Sequence, residues 1–484
     1  MTSTVTLPVW VVAIVALLAA VSLLDRLLLP SIRWALRTRA NRAVAKLNTK
    51  LKLRIQPFKM TKRQVLIDQL MFDPDTLHAA EEYALANGVP RDVAMEKAKR
   101  YAREIVPSFN AYAYFRVGTR LARKVSETLY RVRLGYKNDE QLASVDPNSS
   151  VVFIINHRSN MDYVLVTYVA ATQSALSYAV GEWAQIWGLR SLISSMGAYF
   201  IRRDSRDPLY RRILARYVHM ATAAGVVQAV FPEGGLSRDG ALREPKFGLL
   251  SYMVSGFDTQ GLRDITFIPV GINYDRVLED RILVGAASTE QGQKPQFRFS
   301  AGRLLGFIGG NIWRSLRGKN YRYGYACVSF GDPISLKGYL ARENTDFRTL
   351  APGPRFAAIE KLGRELMTAV GHVIPALPVS LVATALLDTR EVALTAFELK
   401  ARVAALIEHL EATGAHVHVP RADRDYAIDV GLRMLTLRHF VIEENETYRA
   451  NPAERVMLVY YANAIAHLLP KHGVAANPTV RLFH

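Results

Sequence analysis

Val151-Val152-Phe153-Ile154-Ile155-Asn156-His157-Arg158-Ser159-Asn160-Met161-Asp162-Tyr163 reads as a short apolar strand, a polar loop, and the start of a second apolar run that continues to Val169. An unbroken apolar run of this length is what a strand buried on both faces needs. Similar β-rich runs recur at residues 225–231, 265–272 and 325–330, with longer helix-compatible segments between them. That alternation predicts an α/β layer with a buried, mostly parallel sheet covered by helices. The loop after the first strand carries a histidine and, five residues on, a carboxylate. These are the parts of a general base and the group that orients it. In one continuous helix, residues five apart lie roughly 140° around the axis. His157 and Asp162 can therefore meet only if the histidine is in the loop and the aspartate in the first helical turn.

The spacing is weak evidence alone. With 11 His and 43 acidic residues among 484, chance supplies about one such pair. The chain holds three: His157/Asp162, His418/Asp423 and His439/Glu444. The second lies in a polar, proline-containing stretch and the third in an acidic helix-like patch, so both read as surface residues. For the first, the plainer alternative is a capping role.

Three clusters downstream favour chemistry at His157. Gly197-Ala198-Tyr199-Phe200-Ile201-Arg202-Arg203 carries paired arginines, and Phe231-Pro232-Glu233-Gly234-Gly235-Leu236-Ser237-Arg238 closes an apolar strand. Phe267-Ile268-Pro269-Val270-Gly271 is itself strand-like. Loops at the carboxyl ends of parallel strands converge on one crevice. The His157 loop and the Glu233 cluster are expected there together. Gly234 and Gly235 could offer backbone N–H groups to a phosphate or oxyanion. Arg202, Arg203 and Arg238 suit bidentate phosphate recognition. There is no Gly-x-Ser-x-Gly turn, phosphate loop, HExxH or GxGxxG motif. Direct acyl transfer between bound substrates fits better than covalent or metal catalysis, with no cofactor and no metal.

Composition bounds the partners. The net charge is +19, which favours anionic ones. The single cysteine, Cys327, excludes an intrachain disulfide and a multi-cysteine metal site. Residues 7–24 are almost wholly apolar, and residues 26–59 then carry ten Lys or Arg and no acid. The apolar run approaches the ~20 residues of a bilayer-spanning helix. Positive charge follows it instead of preceding it, which argues against a cleaved signal peptide. The expectation is a single N-terminal span in the cell membrane with the rest cytoplasmic. Monotopic insertion and a buried helix are the alternatives. The basic segment would lie on anionic lipid headgroups; a nucleic-acid arm is the runner-up, but no nucleic-acid-binding motif accompanies it.

Residues 75–86 and 92–105 have helical composition, broken at Asn87-Gly88-Val89-Pro90. Residues 109–133 read as an amphipathic basic helix, with a solvated basic face as the plain account and membrane contact as the sharper one. Residues 355–370, 390–413 and 452–469 read as helical. Residues 366–387 lack charge, but Pro375 and Pro378 interrupt them, so residues 378–387 are expected to be a core helix starting at its proline. Residues 303–314 are apolar and too short to span, so they belong to the core or an interfacial loop.

The blocks NHRSNMDY, GAYFIRR, FPEGGLSRDG and FIPVGINYD, over residues 156–275, resemble those of the bacterial glycerolipid acyltransferases, specifically glycerol-3-phosphate acyltransferases. VSFGDPISL at 328–336 is a weaker fifth match. Pattern and blocks together divide the sequence into an expected membrane anchor (1–30), a basic juxtamembrane segment (31–60), an N-terminal helical region (61–147), an acyltransferase domain (148–340) and a C-terminal helical region (341–484). The resemblance carries an activity. It implies transfer of a fatty acyl group from acyl-CoA or acyl-acyl carrier protein to the sn-1 hydroxyl of glycerol 3-phosphate, giving lysophosphatidate. It places the general base on His157 and its partner on Asp162, with Arg158 and Ser159 beside them. Substrate contacts fall on Arg158, Ser159, Gly197, Phe200, Arg202, Arg203, Glu233, Gly234, Gly235, Ser237, Arg238, Lys246 and Pro269. One departure is Leu236, where the third block usually carries arginine; Arg238, Arg243 or Lys246 would have to compensate. A lysophosphatidate or other lysophospholipid acyltransferase is the alternative within the same chemistry. A catalytically silent, membrane-tethered lipid-binding protein is the alternative outside it.

Overall fold

The computed structural model describes residues 53, 55–170, 175–181, 189–202, 205–288, 323–388 and 392–470. The expected span at 7–24, most of the basic segment, residues 303–314 and Arg203 lie outside them. Among the described residues no helix is long and apolar enough to cross a membrane.

Among the described residues a four-residue helix, Pro57–Met60, precedes three longer ones, α1 (Arg63–Met71), α2 (Pro74–Asn87) and α3 (Arg91–Ile105). Asp73 caps α2 by accepting the Asp75 N–H, and Pro74 occupies its first turn, where a missing N–H costs nothing. A π-helical turn (Ala113–Gly118) leads into α4 (Thr119–Leu129). The helix expected to run to residue 133 ends there, and β1 (Arg131–Lys137) follows. β1 is an edge strand with largely exposed side chains, so it lacks the apolar alternation that marks a strand in sequence.

β2 (Ser150–Ile155), α5 (Met161–Ala170), β3 (Ser177–Gly181), β4 (Tyr199–Ile201), α6 (Pro208–Ala223), β5 (Gln228–Val230) and β6 (Ile265–Tyr274) build most of the α/β layer. β7 (Tyr325–Phe330) and β8 (Ile334–Ser335) complete it. The sheet order is β1-β7-β6-β2-β5-β3-β4, with β8 on β6. Pairing is parallel except where β7 and β8 meet β6. Every residue of β2, β6 and β7 is buried, which explains their continuous apolar runs. Phe267, Val152 and Ile154 on one face join a core with α1–α3, α6 and α7 (Pro352–Val373).

α8 (Pro378–Leu387) starts at its proline and is buried at every position. It packs against α9 (Ala396–Ala412), α10 (Arg424–Leu437) and α11 (Arg455–Ala462). β9 (Leu394–Thr395) pairs with a hairpin, β10 (Val441–Glu444) and β11 (Thr447–Ala450). The stretch read as an acidic helical patch is thus a hairpin. Its turn residues Asn445 and Glu446 both have positive φ, the two-residue turn that matches strand twist.

Gly271 marks where α7 meets the sheet. A Cβ there would lie 2.3 Å from the Val373 carbonyl oxygen and 2.5 Å from the Ile374 nitrogen, both backbone atoms. Gly271→Ala is expected to lower unfolding free energy by about 2 kcal/mol or more. Urea denaturation measures this, and an unchanged midpoint contradicts the close packing.

Candidate active site

β2, β5, β3 and β4 run parallel, so their carboxyl ends open on one edge. A cavity of about 700 Å³ lies there. Its lining includes His157 after β2, Gly181 at the end of β3, Ile201 and Arg202 at β4, and Val230, Phe231, Pro232 and Gly234 at β5.

His157 sits in the loop and Asp162 is the second residue of α5, as their meeting requires. His157 Nδ1 lies 2.9 Å from Asp162 Oδ2. The same oxygen accepts the backbone N–H groups of Arg158 (2.7 Å) and Ser159 (3.0 Å). The Tyr274 hydroxyl donates to the other oxygen at 2.7 Å. Asp162 is fully buried, and His157 is 2% exposed. Two backbone N–H groups and a phenol donate to this carboxylate, and the ring nitrogen is the fourth group against it. A carboxylate facing Nδ1 favours the tautomer with its hydrogen there, which leaves Nε2 with the free lone pair. The capping and catalytic readings of Asp162 merge, because it caps the loop and orients the ring at once. Phe231 (4.4 Å between ring centres) and Tyr163 (5.3 Å) flank the imidazole.

Two more carboxylates shape the loop. Glu233 accepts the His157 N–H at 2.6 Å and the Arg243 N–H at 3.2 Å. Glu279 accepts the Ser159 hydroxyl at 2.7 Å and the Asn160 side-chain amide at 3.1 Å. Asn156 clamps β6 by donating to and accepting from the Ile272 backbone. Tyr274 and Glu279 were not among the sequence candidates. Tyr274 is the penultimate residue of the fourth block, and its position at a strand terminus is the available signal.

The remaining candidates divide. Lys246 lines the cavity, and its stem lies over Gly234, whose φ is +67 and where a Cβ would come within 2.7 Å of Lys246 Cδ. The Gly234 N–H is already donated to the Phe231 carbonyl at 3.1 Å. Arg202 faces the cavity, but Glu104 grips it bidentately at 2.8 and 2.6 Å. Arg206 and Arg211 line the cavity and were not singled out, although five arginines crowd residues 202–212. Of the three residues named to compensate for Leu236, only Lys246 lines the cavity. Arg243 donates to the Leu236 carbonyl at 3.3 Å, and Arg238 is exposed elsewhere. Arg158 is buried and donates to the Gly240 carbonyl. Ser237 donates to the Ala241 carbonyl at 2.8 Å. Gly197 packs against Lys59 and Phe109, Phe200 is in the core, and Gly235 is off the lining. Pro269 is inside β6, paired with Ile154, away from the cavity. Among the described residues no group of three or more His, Cys, Asp or Glu is placed to hold a metal.

His418/Asp423 and His439/Glu444 form no such site. His418 is half-buried against Tyr325, while Asp423 caps α10 through the Tyr426 N–H; His439 and Glu444 are exposed.

Two family models match the chain: an acyltransferase domain over residues 133–273, and the C-terminal region of glycerol-3-phosphate acyltransferase over residues 310–479. The glycerol-3-phosphate acyltransferase of Aeromonas hydrophila is 28% identical over 437 residues, covering 86% of this chain and 51% of that protein. That of Pseudomonas entomophila is 26% identical over 426 residues, covering 86% and 50%. Among solved structures, a 1-acyl-sn-glycerophosphate acyltransferase from Thermotoga maritima matches at 16% identity and a TM-score of 0.30, covering 52% of this chain and 79% of that one. That score is too low to bear on the fold. Residues 133–273, which match the acyltransferase model, hold the His157–Asp162 pair. Over 86% of its length the chain is similar to bacterial glycerol-3-phosphate acyltransferases. It spans about half the length of the curated relatives it matches.

Glu233 gives a pH signature. Burial raises its carboxyl from the ordinary 4.5 to about 7. Between those values the folded protein holds a proton that the unfolded chain has released. The site's contribution to stability is fully present below pH 4.5 and falls as pH rises towards 7. Relative to Glu233→Gln, the unfolding free energy of the native protein should fall by about 3 kcal/mol across that window. A difference independent of pH, measured by urea denaturation, contradicts it.

Proposed function

We propose that this cavity transfers a fatty acyl group from an acyl thioester to the sn-1 hydroxyl of glycerol 3-phosphate, giving lysophosphatidate. The observation that carries the reading is a histidine oriented by a buried carboxylate at the wall of a cavity with Arg206, Arg211 and Lys246 on its lining. His157 Nε2 accepts the proton of the acceptor hydroxyl as its oxygen attacks the thioester carbonyl carbon. The tetrahedral intermediate collapses, the C–S bond breaks, and the leaving thiolate takes the proton from the imidazolium. The cations meet the acceptor phosphate. Acyl-CoA or acyl-acyl carrier protein is the donor, and no cofactor takes part. The names of the relatives favour glycerol 3-phosphate over lysophosphatidate as acceptor.

The same reading puts the protein at the cell membrane, through one span at residues 7–24 and the basic residues after it, with the catalytic domain in the cytoplasm. The support is the charge order: apolar run first, ten cations after.

Purified protein given radiolabelled glycerol 3-phosphate and palmitoyl-CoA should form lysophosphatidate, and should prefer this acceptor to lysophosphatidate itself. No transfer to either acceptor, with acyl carrier protein also tried as donor, would sink the proposal. His157→Ala should lower kcat by roughly 10³-fold. Lys246→Gln should raise KM for glycerol 3-phosphate by about tenfold with a smaller effect on kcat. An unchanged KM removes Lys246 from the phosphate site.

A further inference from the structure

A second cationic cleft, of about 220 Å³, lies between the β1 and β7 edge of the sheet and the segment that leads into α10. Arg131, Arg133, Tyr325, His418, Arg421 and Tyr426 line it. Arg133 is paired in register with Cys327, and Cys327 with Asn273. Side chains alternate along a strand, so the cleft is on the opposite sheet face from Tyr274 and Asp162. It is separate from the active-site cavity.

The cleft is arranged around unpaired positive charge. Among the described residues, Arg131, Arg133 and Arg421 form no ion pair with a carboxylate. Arg131 and Arg133 stand over the Tyr325 ring, each 5.7 Å from its centre. Arg421 lies 4.2 Å from the centre of the Tyr426 ring. Stacking of this kind fixes a guanidinium in direction. Arg131 and Arg133 each donate through Nη1, to the Tyr325 hydroxyl at 3.5 Å and the Val132 carbonyl at 3.1 Å, and these neutral acceptors leave both charges uncompensated. The Tyr426 hydroxyl accepts from Arg131 at 3.4 Å. That contact and the Arg421 charge draw the phenol below its ordinary value of 10.0. His418 Nε2 is buried with no hydrogen-bond partner. The nearby carboxylates are committed elsewhere. Asp423 accepts the Tyr426 N–H, and Asp275 accepts those of Tyr325 and Val379.

The backbone supports the same conclusion. Arg421 has φ 61° and ψ 13°, and Ala422 has φ 54°, two successive non-glycine residues in the left-handed region. Such strain persists where surrounding structure holds it, and it clusters at binding sites. Here Arg421 lies over Tyr426 and lines the same cleft as the other two arginines.

We infer that this cleft is a binding site for a phosphoryl group, of phosphate to diphosphate size, separate from the acyl-transfer cavity. Three guanidinium forks, a phenol and an imidazole nitrogen are donors suited to phosphoryl oxygens. The group could belong to a soluble phosphate ester or to a phospholipid headgroup. The inference does not depend on the acyl-transfer reading.

Isothermal titration of the full chain with inorganic pyrophosphate tests it. Because the active-site cavity is also cationic, Lys246→Gln is titrated in parallel. Binding should weaken by roughly tenfold or more in Arg131→Gln and in Arg421→Gln, and should persist in Lys246→Gln. Arg421→Gly separates binding from folding: glycine relieves the left-handed backbone, so its Tm should equal or exceed the parent's while binding is lost. Pyrophosphate binding that is absent from the native protein, or equal in all of these variants, overturns the proposal. Sedimentation with phosphatidylcholine vesicles, with and without phosphatidate, then assigns the source. A phosphatidate-dependent difference between native protein and Arg421→Gln indicates a headgroup, and equal sedimentation indicates a soluble ester.

Discussion

One buried carboxylate organises the site. Asp162 takes one ring N–H, two backbone N–H groups and one phenol from two parts of the chain, the 157–159 loop and the end of β6. A charge with no solvent contact is costly unless its lone pairs are filled, and these four donors fill them. The same bonds satisfy backbone groups in a loop that has left its strand and has no ladder partner. They also tie α5 to the end of β6 through Tyr274. The imidazole is therefore held by the interaction that holds the loop, and it cannot be re-aimed without unfolding its own support.

Glu233 and Glu279 extend this pattern from two other directions. One comes from the loop after β5 and one from beyond β6, and both bind the segment between His157 and Asn160. Carboxyl groups are thus buried behind the loop, while exposed Arg206, Arg211 and Lys246 face the cavity. The acids fix the His157 loop, and the cations give the cavity a positive lining. The two roles fall on different residues because burial suits a fixed hydrogen-bond acceptor, whereas a solvated cation can meet an arriving phosphate without first losing a partner. Arg202 illustrates the difference: it is on the cavity wall, but Glu104 already holds it.

How much of this was legible in the sequence depends on where each signal resides. β2 and β7 match their apolar runs residue for residue, because strands buried on both faces need nothing else. α8 begins at Pro378, as its proline indicated. β1 was read as helix because Arg131 and Arg133 are at an exposed edge, where alternation is absent. β3 and β4 are too short to leave a periodic trace. The His157–Asp162 contact was legible because both partners are local. Glu279 and Tyr274 reach the loop from more than a hundred residues away, and no local pattern records that. Gly197, Ser237 and Pro269 stand in the matching blocks for packing and turn geometry rather than for contact with the cavity.

The central claim is that Asp162 holds His157 with its proton on Nδ1 so that Nε2 can act as base. Asp162→Asn tests it most directly. One oxygen serves Nδ1 and both loop N–H groups, so the amide either keeps its oxygen there as an uncharged, weaker acceptor or sets its NH2 against all three; in both cases the carboxylate that holds the Nδ1 proton is lost. The measurement is kcat for acyl transfer to glycerol 3-phosphate, taken on protein whose thermal transition shows it folded. The account predicts a fall of roughly 10³-fold or more. A folded Asp162→Asn protein with native kcat would contradict it.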